Sequence, residues 1–267
     1  MNGRTPRSSS FIIRRVQADG TVGGRRPDHL LTEEPMLIRL NGVDLTSTMR
    51  TPGHDFELAV GFCLSEGALA GTAVAGVKYC AQGPASETDF NVVTVETTGP
   101  TPHISQRLGS ITSSCGLCGH DSIDALVARL SPLPAYSPWP TDLLLEAPRL
   151  VARQQQLFDL TGTSHLAAAI DRSGTLLAAR EDIGRHNAVD KVIGRLVLDQ
   201  NLEADDRLLF VSSRASFEIV QKAWTAGFSA VVSVSGPSAL AVSTARAAGM
   251  TLAGFTRSDG ANLYSPT

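Results

Sequence analysis

Between Arg207 and Arg257 the sequence alternates three short apolar runs with two helical stretches. The runs are RLLFVSS, FSAVVSVS and TLAGFTR; SFEIVQKAWTAG and SALAVSTARAAG lie between them. Parallel neighbouring strands need a crossover of a dozen or more residues, usually a helix. A β-α-β-α-β order therefore argues for a parallel sheet with helices packed over it. Just upstream, HLAAAID–RSG–TLLAARED (165–182) reads as a hairpin. RHNAVDKVIGRLVLDQ (185–200) reads as a helix whose Ala188, Val189, Val192, Ile193, Leu196 and Val197 form one apolar stripe.

The first half is less regular. Residues 1–27 read as a loose polar leader, with Arg14–Arg15 and Arg25–Arg26 expected in solvent. MLIRLNGVDLTSTM (36–49) reads as a strand pair turning at Asn41–Gly42. DFELAVGFCLSEG (55–67) reads as a helix capped by Asp55 and stopped by Gly67, which makes Cys63 a packed thiol. VKYC and NVVTVETT read as strands, with Cys80 structural. DSIDALVARL (121–130) reads as a short amphipathic helix, and SPLPAYSPWP (131–140) as a connector or hinge between halves. This divides the chain into a leader (1–27), an N-terminal α+β subdomain (28–112), a Cys-loop and connector region (113–140) and a C-terminal α/β subdomain (141–267).

Composition narrows the class. Of 267 residues 42% are hydrophobic and 18% charged, as in an ordinary globular chain, and the net charge of −3 gives no reason to expect nucleic acid as a partner. No run approaches the ~20 apolar residues that cross a bilayer. The N-terminus offers only FII as an apolar piece, too short for a secretory signal. A cytoplasmic protein without a membrane partner is expected.

In an open parallel sheet ligands bind at the carboxyl ends of the strands, where helix N-termini present free N–H groups. Four connections reach that edge: EDIGRHN (181–187), SSRAS (212–216), SGPS (235–238) and FTRSDG (255–260). Three carry an arginine, Arg185, Arg214 and Arg257, and guanidinium forks suit phosphate oxygens. A ligand with several phosphates is the inference, with neither a P-loop nor a G-x-G-x-x-G fingerprint present. His165 and His186 stand beside these turns. Glu181 and Asp182 are acid–base candidates, or plain surface at a hairpin end. Lys191 and Lys222 are expected in solvent.

The remaining chemistry lies in SSCGLCGHD (113–121). Structural zinc needs four ligands; His120 is available beside Cys115 and Cys118, but Cys63 and Cys80 lack suitable spacing, so zinc stays open only as a weak reading. Haem attachment needs C-x-x-C-H, and Gly119 intervenes before His120. The zinc-deaminase motifs are missing. Nucleophilic thiol chemistry is the favoured use: Gly116 and Gly119 would leave the sulfurs accessible, and a helix starting near Asp121 would favour a thiolate. Sulfur carriage and redox cycling both stay open on this evidence.

SSCGLCG, EDIGRHNAVDKVIG, SSRASFEIVQKAWTAG, SGPSALAV and GFTR, in this order, resemble the formate dehydrogenase accessory sulfurtransferases, the sulfur carrier protein FdhD family. The likeness runs from about Glu33 to the C-terminus. It departs at Thr163, Ser164 and Leu166, where TGG-x-HAAA is usual, at Ser213 for a glycine and at Gly236 for an alanine. The resemblance implies a cytidine-deaminase-like α/β fold, a three-layer core with a mixed sheet, lacking the deaminase zinc and any other protein-bound metal. It also implies a homodimer, and sulfur taken as persulfide from a cysteine desulfurase. That sulfur passes to the molybdenum (or tungsten) bis-guanine-dinucleotide cofactor, bound as substrate, as formate dehydrogenase requires. Cys115 would hold the persulfide and Cys118 assist. Phe255, Thr256, Arg257, Ser258, Asp259 and Gly260 match the cofactor-binding segment, to which the residue reading adds Arg185, His186 and Arg214. A non-catalytic cofactor chaperone is the alternative, and a redox switch the third reading.

Overall fold

The computed structural model describes residues 5–80, 90–99, 132–200 and 206–266. Its centre is a six-stranded mixed sheet. β7 (His165–Asp171) and β8 (Leu176–Asp182) form the expected hairpin; Asp171 Oδ1 holds the turn by accepting from the Ser173 and Thr175 amides. β9 (Arg207–Val211), β10 (Ala230–Ser233) and β11 (Thr251–Arg257) are the parallel strands read from the sequence. β9 and β10 are buried along their whole length, as strands covered on both faces must be.

The sheet is parallel only there. β7 joins β9 antiparallel, and β12 (Gly260–Ser265) returns antiparallel to β11, giving the order β12-β11-β10-β9-β7-β8. FTRSDG is therefore a hairpin turn and not a strand-to-helix connection.

Helices cover both faces. α4 (Arg185–Leu198), α5 (Phe217–Thr225) and α6 (Ala239–Ala248) pack on one side; the α4 stripe is buried as predicted, with Val197 partly so. α2 (Thr141–Val151) covers the other with Leu144, Ala147 and Val151. The sequence reading assigned no element to α2, whose interior holds Pro148, or to the short α3 (Gln156–Thr161).

Over its described residues the proline-rich connector lies against the main sheet. Trp139 is buried and donates from Nε1 to Ser229 Oγ at 3.0 Å, and the Tyr136 hydroxyl donates to the Ser229 carbonyl at 2.6 Å. The Arg172 guanidinium lies 4.9 Å over the Trp139 ring, so the connector is fastened to the sheet.

A second sheet, order β4-β3-β6-β5, holds β3 (Glu34–Leu40), β4 (Val43–Arg50), β5 (Val74–Tyr79) and β6 (Val92–Thr97). The β3–β4 turn is the predicted one, with Asn41 and Gly42 both at positive φ. Met36, Ile38 and Leu40 alternate inwards onto α1 (Asp55–Ser65). α1 is apolar on nearly every side because it is sandwiched between this sheet and α4. His54 precedes its first residue in a left-handed conformation, and the Asp55 carboxylate serves Arg50 instead of acting as the predicted cap. Cys63 is packed inside, where burial pushes its thiol up to about 12. Cys80 is also buried.

The expected loose leader is a second correction. Ser8–Val16 (β1) and Val22–Leu31 (β2) form an antiparallel hairpin with Arg14 opposite Arg25. Among the described residues no helix is long and apolar enough to cross a membrane.

Candidate functional site

The register brings the candidate residues to one edge. β8 runs the same way as β9, since both oppose β7, so β8 to β11 end together and β7 begins there. From that edge the chain enters α4, α5 and α6. The loops are stitched by backbone bonds: Ser212 N–H to the Leu166 carbonyl (2.9 Å), Ser238 N–H to that of Ala215 (3.1 Å) and Phe255 N–H to that of Ser235 (3.2 Å).

Arg185 and His186 are the first two residues of α4, and Ser216 directly precedes α5. Arg185 Nε, His186 Nε2, Ser216 Oγ and Thr256 Oγ1 are all buried, and none has a hydrogen-bond partner. Buried polar atoms are nearly always satisfied, so four open ones along one edge need an explanation. They are four of the eight such atoms among the described residues; the others belong to Arg7, Thr32, Thr94 and Arg207. Burial and the neighbouring Arg185 and Lys222 push the His186 imidazole down to about 4, with Glu218, 3.8 Å away, pulling the other way. His186 is therefore neutral near pH 7. His165 is lowered too, by burial and then Arg185.

Arg214 is exposed beside the start of α5. Arg257 donates to the Val234 carbonyl at 2.6 Å, which holds its exposed guanidinium across the mouth of the β10 loop. Phe255 is 51% exposed and takes a left-handed conformation, φ 54°. Its ring lies against Gly236, where a Cβ would come within 2.6 Å of Cζ. A left-handed backbone conformation costs a non-glycine residue about 1–3 kcal/mol. Ser258 and Asp259 form the exposed β11–β12 turn, and Gly260 opens β12.

Other candidates have structural employment. Glu181 is buried and accepts from Ser164 Oγ (2.6 Å) and the Leu157 and Phe158 amides (2.8 Å each), fixing α3. Asp182 is fully buried; it meets Lys191 Nζ at 2.6 Å and accepts from the Thr51 and Gly184 amides and Asn187 Nδ2. With their oxygens occupied, neither serves as plain surface or as a free acid or base. Lys191 and Lys222, expected in solvent, are buried. Lys222 Nζ reaches both Asp190 oxygens at 3.0 Å, Glu66 at 2.7 Å and Ser65 Oγ at 2.9 Å. Helical periodicity places a lysine on a face without saying whether another element covers that face. Asn187 completes the anchoring of α4, donating to the Met49 carbonyl at 2.7 Å and accepting from Thr48 Oγ1 at 3.2 Å. The start of α4, with Arg185 and His186 on it, is thus held by residues of β4 and the loop after it.

The model of the FdhD/NarQ family matches residues 31–267. The chain belongs to the FdhD/NarQ family. It is similar to the sulfur carrier protein FdhD of Corynebacterium efficiens, 42% identical over 90% of each chain. The sulfur carrier protein FdhD of Streptomyces coelicolor is 45% identical, with 92% of this chain and 90% of that one covered. A crystal structure of a proposed formate dehydrogenase accessory protein from Desulfotalea psychrophila superposes with a TM-score of 0.74 over 98% of both chains at 22% identity, a likeness of fold. Membership in the FdhD/NarQ family thus rests on nearly the whole chain. Cys115 and Cys118, and His120 beside them, lie outside the described residues, as does the predicted helix 121–130.

Proposed function

We propose that this chain is a sulfur carrier for formate dehydrogenase maturation, with the carboxyl edge of its main sheet holding the phosphate-rich part of a molybdenum or tungsten bis-guanine-dinucleotide substrate. The observation that carries the ligand half is the set of open buried atoms on Arg185, His186, Ser216 and Thr256, flanked by the Arg214 and Arg257 guanidiniums. Guanidinium, hydroxyl and helix-terminal N–H donors suit pyrophosphate oxygens, and neutral His186 Nε2 can accept from a sugar or base donor. Sulfur carriage is supported by the family and by the Cys-x-x-Cys pair in this sequence. The cytidine-deaminase-like description of the core and the cytoplasmic location belong to the same proposal.

In the first step the Cys115 thiolate attacks the outer sulfur of a desulfurase persulfide. The S–S bond of the donor breaks, a new one forms on Cys115, and the desulfurase thiolate leaves. In the second, the Cys118 thiolate attacks Cys115 Sγ; the terminal sulfur departs to the substrate as sulfide and a Cys115–Cys118 disulfide remains for a cellular dithiol to reduce.

Intact-mass analysis after incubation with a cysteine desulfurase and cysteine tests the carrier reading. The expected result is a gain of one sulfur on the peptide spanning 115–118, removed by reductant and absent in Cys115→Ala. No gain with both thiols reduced would favour the cofactor chaperone instead.

A further inference from the structure

Asp182 ends β8 just before the start of α4, and it is fully buried. Its Oδ1 accepts from the Gly184 amide at 2.8 Å and from Asn187 Nδ2 at 3.1 Å, while Oδ2 accepts from the Thr51 amide at 3.1 Å. These donors come from the turn into α4, from its first helical turn and from the loop after β4. Thr51 in turn accepts the Ile183 amide on Oγ1 at 3.1 Å. Both residues before Arg185 are therefore tied down. A Cβ on Gly184 would come within 3.0 Å of Asn187 Nδ2, so the turn closes tightly on these groups.

A carboxylate is a poor neighbour for a phosphate site. It repels phosphate and competes with it for the positive end of a helix. The N–H donors around Asp182 hold it in its charged form, since hydrogen bonds to a carboxylate favour ionisation. Lys191, one turn beyond Asn187, supplies the balancing charge: its Nζ lies 2.6 Å from Asp182 Oδ2 and donates to the Thr51 carbonyl at 2.9 Å. Lys191 is itself fully buried, so it touches no ligand. Arg7 is the other cation nearby, and its Nη2 donates to the Glu181 carbonyl at 3.3 Å instead of pairing with Asp182. Apolar side chains hold two segments together as well as a buried ion pair does, so stability alone does not account for this one.

We propose that Lys191 is a positioning residue of the anion site: by neutralising Asp182 it lets that carboxylate fix Gly184 and Asn187, and through them Arg185 and His186, without repelling the phosphates those two residues face. The inference rests on the reading of this edge as a phosphate-binding site. It differs from a structural role in what it asks of the pair. A pair that only stabilised the fold would change how much of the protein is folded and leave the affinity of folded molecules alone. A neutralising cation changes the affinity itself, through a charge that acts from inside the protein on a ligand outside it.

The test is calorimetric titration of the full chain with inorganic pyrophosphate, on variants shown to be folded by circular dichroism. The wild type is expected to bind, and Arg185→Ala to lose most of that affinity. Lys191→Met leaves Asp182 charged and is expected to weaken binding about tenfold. Lys191→Gln removes the same charge but keeps a donor in the pocket, so it carries the measurement if the methionine variant does not fold. Combining Lys191→Gln with Asp182→Asn restores neutrality and is expected to bring the affinity back to within about threefold of wild type. A second readout comes from the free protein by NMR. Burial and Arg185 lower the His165 midpoint and Asp182 raises it, so the midpoint is expected to move upward in Lys191→Gln and to return in the double variant. A wild type that does not bind pyrophosphate would overturn the site and this inference with it. A wild type that binds, beside folded single variants that bind equally well, would overturn this inference alone. So would a double variant as weak as the single one, because restored neutrality would then have recovered nothing.

Discussion

Gly61 of α1 and Gly194 of α4 meet where the two helices cross. A Cβ on Gly61 would lie 1.8 Å from the Asp190 carbonyl oxygen, and one on Gly194 would lie 1.8 Å from that of Glu57. The obstacles are backbone atoms, which cannot rotate aside. Each glycine gives up about 1 kcal/mol of helix propensity to allow the approach.

Gly61→Ala and Gly194→Ala are therefore each expected to destabilise the protein by about 2–3 kcal/mol, overpacking outweighing the gain in propensity. Urea denaturation at neutral pH reads this directly. A midpoint equal to or above the wild type would mean that the helices separate easily.

Lys222 neutralises buried Asp190, whose carboxyl burial raises to about 6 against the pull of the ammonium. Lys222→Met leaves that carboxylate without its cation and is expected to cost about 3–5 kcal/mol. Adding Asp190→Asn is expected to recover most of the loss. If the double variant is no more stable than the single one, the pair is not the source of the cost.

Glu57 bridges layers: Arg180 grips it at 2.5 and 2.7 Å, and His54 lies 3.3 Å away. Burial works to raise its carboxyl, and the Arg180 and His54 interactions outweigh that, bringing it to about 2 from an ordinary 4.5. A depressed carboxylate stabilises the fold fully above its unfolded value and loses that contribution as pH falls from 4.5 toward 2. Glu57→Gln should therefore be less stable than wild type at pH 6, with the gap narrowing on acidification through this window. A gap independent of pH would contradict the assignment.

His186 is expected to titrate near 4 in an NMR series on the free protein, against an ordinary 6.5. Because the folded value is the lower one, its contribution is complete above 6.5 and declines as pH falls toward 4. Pyrophosphate bound at the carboxyl edge should move the midpoint upward, since a nearby anion favours the imidazolium. An unmoved midpoint at saturating pyrophosphate would place the anion elsewhere.

Phe255→Gly removes an exposed ring and relieves a left-handed backbone. The fold is expected to stay within about 1 kcal/mol of wild type, as the relieved strain offsets the added freedom of glycine in the unfolded chain. Affinity for guanosine diphosphate should nevertheless fall about tenfold, the order of one lost base–aromatic stack. Calorimetry decides it; unchanged affinity would remove Phe255 from the site.

The sequence was most legible where local rules and tertiary packing agree. The Asn41–Gly42 turn, the 165–182 hairpin and the α4 stripe follow from positive-φ turn residues and from periods of two and 3.6 residues, and each sits where those rules put it. The arginine-bearing turns were readable for the same reason, since strand and helix order alone brings Arg185, Arg214 and Arg257 to one edge. What misled was the reading of several charged residues and of the N-terminal segment. Lys191 and Lys222 read as solvated, Glu181 and Asp182 as possible surface, and residues 1–27 as a loose leader.

By itself, then, the sequence determined the element order from β7 to β11, the edge at which its arginine-bearing turns gather and the family to which the chain belongs. Tertiary structure alone decided which polar groups are buried together. Asp182 is 131 residues from Thr51, and Lys222 is 157 from Ser65, so each network depends on α1 and the loop before it being packed against α4. Periodicity records which face of an element is apolar, a local property. Whether a charge on the other face meets water or a carboxylate depends on what packs over it, and that is settled by contacts far away in the chain.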